Sequence, residues 1–172
     1  MTVTIRDERP DDVAAVRRVN ELAFGQPQEA DVVEALRRAC PGLLSLVALD
    51  GDELVGHILF SPATIDGADG VRRGMGLAPM AVLPARQRQG IGTMLVEAGL
   101  ARLRQANCPF VIVLGHPDYY PRFGFERASA HGIRCQWPSV PDEAFMILVL
   151  DAAATVGAAG VARYRDEFDQ AM

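Results

Sequence analysis

The segment LPARQRQGIG, residues 83–92, decides which fold this chain is predicted to adopt. It is polar, carries two glycines one residue apart, and separates two apolar regions. Behind it, small and apolar residues recur at helical spacing: Gly92, Leu95, Val96, Gly99, Leu100 and Leu103. Residues 75–83 before it and FVIVLG (110–115) after it have the character of strands, the second buried on both faces. The pattern predicts a strand, a loop, a helix and a second strand parallel to the first.

The chemistry of this loop points to an anionic ligand. The first N–H groups of a helix have no intrahelical partner, and they attract phosphates. Gly90 and Gly92 allow a ligand to approach the backbone closely, while Arg86 and Arg88 add positive charge. Residues 83–104 contain four arginines and one glutamate in a chain whose net charge is −5. A cationic site in an acidic protein favours one specific anion over a nucleic-acid surface.

Other phosphate-binding motifs fit this loop poorly. A P-loop requires Gly-Lys-Ser/Thr, whereas this chain has Gly92 followed directly by Thr93. A dinucleotide-binding fingerprint requires a third glycine where Leu95 stands, and an acidic residue about 20 positions later. The remaining alternative at this level is an ordinary charged loop with a helix cap.

The rest of the chain alternates short strands with helices. A strand over 2–6, helices over 10–24 and 28–39, and a strand over 144–151 are predicted from periodicity. Asp50-Gly51 between two apolar stretches predicts a hairpin. Pro79 predicts an edge, a bulge or a local break in pairing, because proline cannot donate to a sheet. Residues 1–151 are expected to form one domain, and 152–172 a tail that is part of it or loosely packed.

Composition limits the partners that are expected. The chain has 172 residues, of which 49% are hydrophobic, but its apolar runs are too short to cross a membrane. No secretory signal pattern is visible at the start. The cysteines at positions 40, 108 and 135 are odd in number and widely spaced, which predicts neither disulfides nor a metal site. A cytoplasmic protein without nucleic-acid or membrane partners is the expectation.

The segment MAVLPARQRQGIGTMLVEAGL, residues 80–100, resembles the acetyl-CoA signature of the GNAT N-acetyltransferase superfamily. Gln87, Gly90 and Gly92 match that signature, and YYPRFGF (119–125) resembles the second hallmark of the superfamily. The order of elements also fits from Thr2 to about Asp151. The resemblance implies an α/β fold with a mixed, mostly antiparallel sheet and helices on both faces. It also implies that the fourth and fifth strands are parallel and splay apart.

The resemblance implies that the protein is an enzyme that moves the acetyl group of acetyl-CoA directly to a primary amine, without a metal. Its acceptor would be a small molecule or a protein. Loop amides would hold the pyrophosphate of CoA, and the fourth strand would pair with pantetheine. An amide just beyond Pro79, that of Met80, would polarise the thioester carbonyl. The implied cofactor-binding residues are Met80, Ala81, Val82, Gln87, Arg88, Gln89, Gly90, Ile91, Gly92 and Thr93.

The sequence offers a candidate acid for the proposed reaction but no clear base. By similarity Tyr120 is the acid that protonates the CoA thiolate, and the alternative is that it only packs against the cofactor. Many relatives carry a glutamate base on the fourth strand, but residues 75–82 contain no carboxylate. The candidates for a base are a relay of water and the side chains of Glu53, His57, His116 and Asp118.

Two further hypotheses stay open beside the acetyltransferase. One is a non-catalytic acyl-CoA-binding or sensor module on the same fold, and the other is an enzyme for longer acyl chains. The acceptor is not determined by the sequence, although Gln26, Glu29 and Asp31 offer weak attraction for a cationic amine. A homodimer is possible, as in much of the superfamily.

Overall fold

The computed structural model describes residues 2–172, which divide into two compact units. The first unit contains the chain up to Phe60, Ala78–Arg102 and Asp166–Met172, and the second contains Ser61–Leu77 and Leu103–Arg165. In chain order the elements are β1 Val3–Asp7, α1 Val13–Phe24, α2 Gln28–Ala39, β2 Leu44–Asp50, β3 Glu53–Gly67, β4 Gly70–Val82, α3 Ile91–Gln105, β5 Phe110–Leu114, β6 Glu126–Arg127, β7 Ile133–Cys135, β8 Phe145–Val149, α4 Ala152–Thr155 and β9 Gly160–Arg163.

The first unit is built on the antiparallel strands β1, β2 and the first half of β3. Asp50 and Glu53 lie opposite each other at the end of the β2–β3 hairpin, which confirms the turn predicted at Asp50-Gly51. Helices α1 and α2 pack together, and Gly25 ends α1 in the left-handed conformation with φ 69°. The C-terminal 3-10 helix, Asp166–Ala171, packs against α2 and buries Phe168.

The second unit contains the parallel pair that the sequence predicts. Residues 75–77 of β4 pair with 111–113 of β5 in parallel, and β5 continues to β8 and β8 to β6 in antiparallel pairs. β9 pairs with β3 in antiparallel fashion and with β7 in parallel fashion. The sheet is therefore mixed and mostly antiparallel, which confirms the predicted fold class.

The structure extends the predicted elements at the start of β4 and after residue 152. Strand β4 begins at Gly70 rather than near Met75 and continues through Pro79, which follows a cis peptide bond. The recorded pairing of β4 with β5 ends at Leu77, two residues before that proline. The segment after residue 152, which periodicity does not place, forms α4, β9 and the last 3-10 helix. The single domain over 1–151 stays a prediction.

Candidate functional site

The first half of the loop after β4, residues 83–87, is hydrogen-bonded to strands β3 and β4. The N–H of Leu83 donates to Val55 O at 2.9 Å, and a 3-10 turn follows over Pro84–Arg86. The side-chain amide of Gln87 donates to Val82 O at 3.1 Å. That bond turns the first residue of the predicted signature back onto β4, so its side chain holds the loop in place.

The second half of the loop presents its backbone. Arg88 and Gly90 both have positive φ, 61° and 85°, so the backbone turns sharply twice before α3. The first bond into the helix is from Met94 N–H to Gly90 O at 3.0 Å. Within residues 2–172, the five consecutive N–H groups from Arg88 to Gly92 donate to no backbone carbonyl. Free amides at a helix start, where the helix dipole is positive, form an anion site.

The positive charge around this loop is smaller than the sequence predicts. The guanidinium of Arg86 forms an ion pair with Asp50 and lies 3.9 Å from Glu53. Arg102 binds both carboxylate oxygens of Asp7, at 2.5 and 3.2 Å. Arg86 is therefore paired with a carboxylate, so it adds less free positive charge to the loop than the sequence predicts. The exposed Arg88 is the arginine of the loop that stays open to solvent.

A glycine on β3 seats the start of α3 close to the sheet. A Cβ at Gly56 would lie 3.0 Å from Leu95 Cδ1, 3.2 Å from Ile91 Cγ2 and 3.3 Å from Ala81 O. The absence of a side chain there lets the first turn of α3 approach β3 and β4 closely. Ala81 and Val82 are buried and Met80 is half-buried at the end of β4. No local pattern around residue 56 predicts this role of Gly56.

The second predicted motif forms an aromatic turn in the second unit. The N–H groups of Tyr119 and Tyr120 both donate to His116 O, at 3.1 and 3.4 Å. The ring of Tyr120 packs edge-on against Tyr119 and Phe125, with centroids 5.1 and 5.7 Å apart. A Cβ at Gly115 would lie 2.4 Å from the Tyr120 ring, so only glycine leaves room for it.

The phenol of Tyr120 is suited to holding a proton. The residue is only 6% exposed, and burial raises the pKa of its hydroxyl above the ordinary value. Within the described part of the chain, that hydroxyl has no recorded hydrogen-bond partner. It therefore stays protonated at neutral pH and is available to donate.

The side chains considered as a base differ sharply in access. His57 is fully buried, with Asn20 Nδ2 at 3.1 Å from Nδ1 and Ser45 Oγ at 2.9 Å from Nε2. Its desolvation, helped by the charge of Arg37, lowers the pKa of His57 to about 3. A neutral, enclosed imidazole is a structural group. His116 and Asp118 are exposed in the loop before Tyr119.

The structure also bears on the cysteines, on the acidic residues near α2, and on metal and membrane binding. Burial raises the pKa of the Cys108 and Cys135 thiols, which disfavours a nucleophilic thiolate. Asp31 shares Arg17 with Glu21 and Glu34, at 2.9, 2.6 and 3.0 Å, and Glu29 accepts a hydrogen bond from the neutral amide of Gln26 at 2.6 Å, so this region keeps net negative charge. Across residues 2–172, no three metal-binding side chains are grouped, and no helix is long and apolar enough to cross a bilayer.

Comparison with known proteins agrees with this arrangement. The model of the acetyltransferase (GNAT) domain matches residues 4–128. The uncharacterized N-acetyltransferase YhbS of Escherichia coli K12 is 35% identical over 96% of this chain and 98% of its own. A second E. coli K12 protein, the uncharacterized N-acetyltransferase YjhQ, is 41% identical over 77% of this chain and 74% of its own. The chain therefore belongs to the GNAT acetyltransferase family, and the expectation of an N-acetyltransferase is confirmed.

Two solved structures extend the likeness to the fold. The crystal structure of E. coli YhbS in complex with CoA superposes with a TM-score of 0.87 at 34% identity, over 97% of this chain and 92% of that one. A GNAT family acetyltransferase from Brucella melitensis in complex with acetyl-CoA gives a TM-score of 0.79 at 36% identity, over 98% and 99% of the two chains. The residue assignments within the site stay predictions, as does a cytoplasmic location.

Proposed function

We propose that this protein transfers the acetyl group of acetyl-CoA to a primary amine of a small molecule or a protein. The observation that carries the proposal is the row of five free amides, Arg88 to Gly92, where α3 begins. The two relatives whose structures hold CoA and acetyl-CoA support the choice of ligand.

The loop would hold the pyrophosphate of acetyl-CoA through its backbone. The N–H groups from Arg88 to Thr93 would donate to phosphate oxygens, and the dipole of α3 and the charge of Arg88 would stabilise them. Gln87 would contribute by fixing the loop on Val82 O. The ligand would thus contact mainly backbone atoms, which explains why the motif requires glycine more than particular polar side chains.

The end of β4 would hold the pantetheine arm and the thioester. The recorded ladder with β5 ends at Leu77, so the backbone of Met80, Ala81 and Val82 is proposed to pair with the pantetheine amides. The N–H of Met80 would donate to the thioester carbonyl as negative charge develops on its oxygen. Stabilisation of that oxygen by a fixed N–H lowers the barrier to attack.

In the proposed reaction the amine nitrogen attacks the thioester carbon directly. The new C–N bond forms, the C–S bond breaks, and the thiolate of CoA takes the proton of the Tyr120 hydroxyl. The Tyr120 hydroxyl is protonated at neutral pH, and after the transfer it would take a proton back from water. For the proton of the amine we propose a relay through water, because residues 75–82 carry no carboxylate and His57 is enclosed.

The proposal is tested in two stages on the intact protein. Calorimetry with acetyl-CoA, and with CoA and NAD as comparators, should give a Kd of about micromolar order for the first two and no binding of NAD. Release of free CoA thiol is then followed with small primary amines and with peptides that offer an N-terminus or a lysine. Amine-dependent release supports the enzyme. Binding without release for any amine supports the sensor module, and no binding of acetyl-CoA contradicts both.

A further inference from the structure

The arginine just before the signature, Arg86, forms an ion pair with Asp50 of the β2–β3 hairpin. We infer that Arg86 is a positioning residue for the proposed acetyl-CoA site, held by Asp50 and Glu53, and not a ligand of the pyrophosphate. The inference rests on the proposed function, since it concerns how that same loop is kept ready to bind.

The geometry of the hairpin explains why Arg86 is held. Asp50 and Glu53 face each other across the end of the β2–β3 pair, and like charges directly opposite repel. The guanidinium of Arg86 pairs with the first carboxylate and lies 3.9 Å from the second. The side chain of Arg86 is 21% exposed and that of Asp50 28%, so the pair is partly shielded from solvent. Removal of Arg86 would leave two facing carboxylates uncompensated.

The ion pair of Arg86 joins the loop to the β2–β3 hairpin. Leu83 and Gln87 tie the loop to Val55 and Val82, and the side-chain amide of Gln89 donates to Ala85 O at 3.5 Å within the loop itself. Arg86 ends the 3-10 turn and comes two residues before Arg88, where the free amides begin. Its ion pair therefore fixes the base of the segment whose N–H groups must point at one anion. A preformed site binds more tightly because less conformational entropy is lost on binding.

Whether Asp50→Asn weakens or tightens the binding of acetyl-CoA distinguishes the two roles that Arg86 could have. Asp50→Asn removes the partner charge and keeps the size of the side chain. If Arg86 positions the loop, acetyl-CoA should bind about 2- to 5-fold more weakly, as expected for loss of one partly shielded ion pair. If Arg86 were a latent phosphate ligand, its release would tighten binding instead. Asp52→Asn is the matched control. The exposed Asp52 lies in the same hairpin turn, and its substitution changes the net charge by the same amount but leaves Asp50 and Glu53, the partners of Arg86, in place.

The experiment measures the Kd of acetyl-CoA by calorimetry, together with KM and kcat for any amine found, in wild type, both single variants and the exchange Asp50→Arg with Arg86→Asp. The inference predicts a raised Kd and KM with nearly unchanged kcat for Asp50→Asn, no weakening for Asp52→Asn, and partial recovery in the exchange. Equal Kd values for the two Asn variants, or tighter binding by Asp50→Asn, would overturn it. No binding by wild type would instead overturn the proposed function.

Discussion

The turn after β4 and the turn after β5 carry the two motifs of the family, and they are built in opposite ways. The first, residues 83–90, is polar and mostly exposed, and within residues 2–172 its last N–H groups donate to no backbone carbonyl. The second, residues 115–125, closes around the buried ring of Tyr120. One turn offers backbone to a ligand, and the other offers a single side chain whose position is fixed by packing. Substitutions should therefore affect binding in the first turn and turnover in the second.

The largest effect is expected from removal of one oxygen in the second turn. Tyr120→Phe keeps the ring that packs against Phe125 and removes the proposed proton donor. We expect kcat to fall about 100-fold, as for the loss of a general acid, while the Kd of acetyl-CoA and the melting temperature stay close to wild type. A single-turnover assay with calorimetry on the same sample measures both. An unchanged kcat would leave Tyr120 as a packing residue.

Alanine substitutions of a glycine in each turn should lower the free energy of unfolding by different amounts. Gly115→Ala places a methyl group 2.4 Å from the Tyr120 ring, and overpacking of this kind costs about 1–3 kcal/mol. Gly90→Ala meets no atom within 4 Å but must adopt φ 85°, which costs about 1–2 kcal/mol. Urea unfolding should show the greater loss for Gly115→Ala, and that variant alone should also lower kcat. A greater loss for Gly90→Ala would mean that the turn around Tyr120 accommodates the added methyl group at a lower cost than its packing suggests.

A buried histidine outside both turns gives a pH dependence. Because the pKa of His57 is about 3 when folded and near 6.5 when unfolded, the unfolded chain binds more protons below pH 6.5. The contribution of His57 is therefore complete above that pH and is lost as pH falls toward 3. Between pH 7 and pH 5 the free energy of unfolding should drop by about 2 kcal/mol.

The control for this prediction is His57→Gln, which has no imidazole to titrate. The carboxyls of Asp7 and Asp12, whose pKa values are lowered by their arginines, lose their contributions only below about pH 4, outside this window. Urea unfolding at both pH values should thus give a much smaller difference in the variant. The same drop in both proteins would contradict a neutral His57.

The smallest effect is expected at His116. Its carbonyl, not its ring, accepts the amides of Tyr119 and Tyr120, and its side chain is exposed. His116→Ala keeps that carbonyl, so kcat should change by less than about 2-fold if water accepts the amine proton. A loss of about 100-fold, restored by added imidazole, would make His116 the base.

The sequence predicts those features that local spacing determines. The two glycines, the helical stripe and Asp50-Gly51 are local signals, and the structure places α3 and the hairpin where they indicate. Contacts between residues that are distant in the sequence cannot be predicted from such local signals. Arg86 looks like a free charge in the sequence, and its partner Asp50 is 36 residues earlier. Strands β6, β7 and β9 have two, three and four residues, too few for periodicity, and they are ordered by pairing.

A matched pair of variants at Gly90 tests whether the free loop amides hold an anion. Gly90→Asn and Gly90→Asp introduce side chains of the same shape that both tolerate positive φ, and they differ by one negative charge. Calorimetry with acetyl-CoA should show at least about 10-fold weaker binding for the aspartate than for the asparagine variant, with equal melting temperatures. Equal affinities in the two variants would contradict the account, because no phosphate could then lie against that loop.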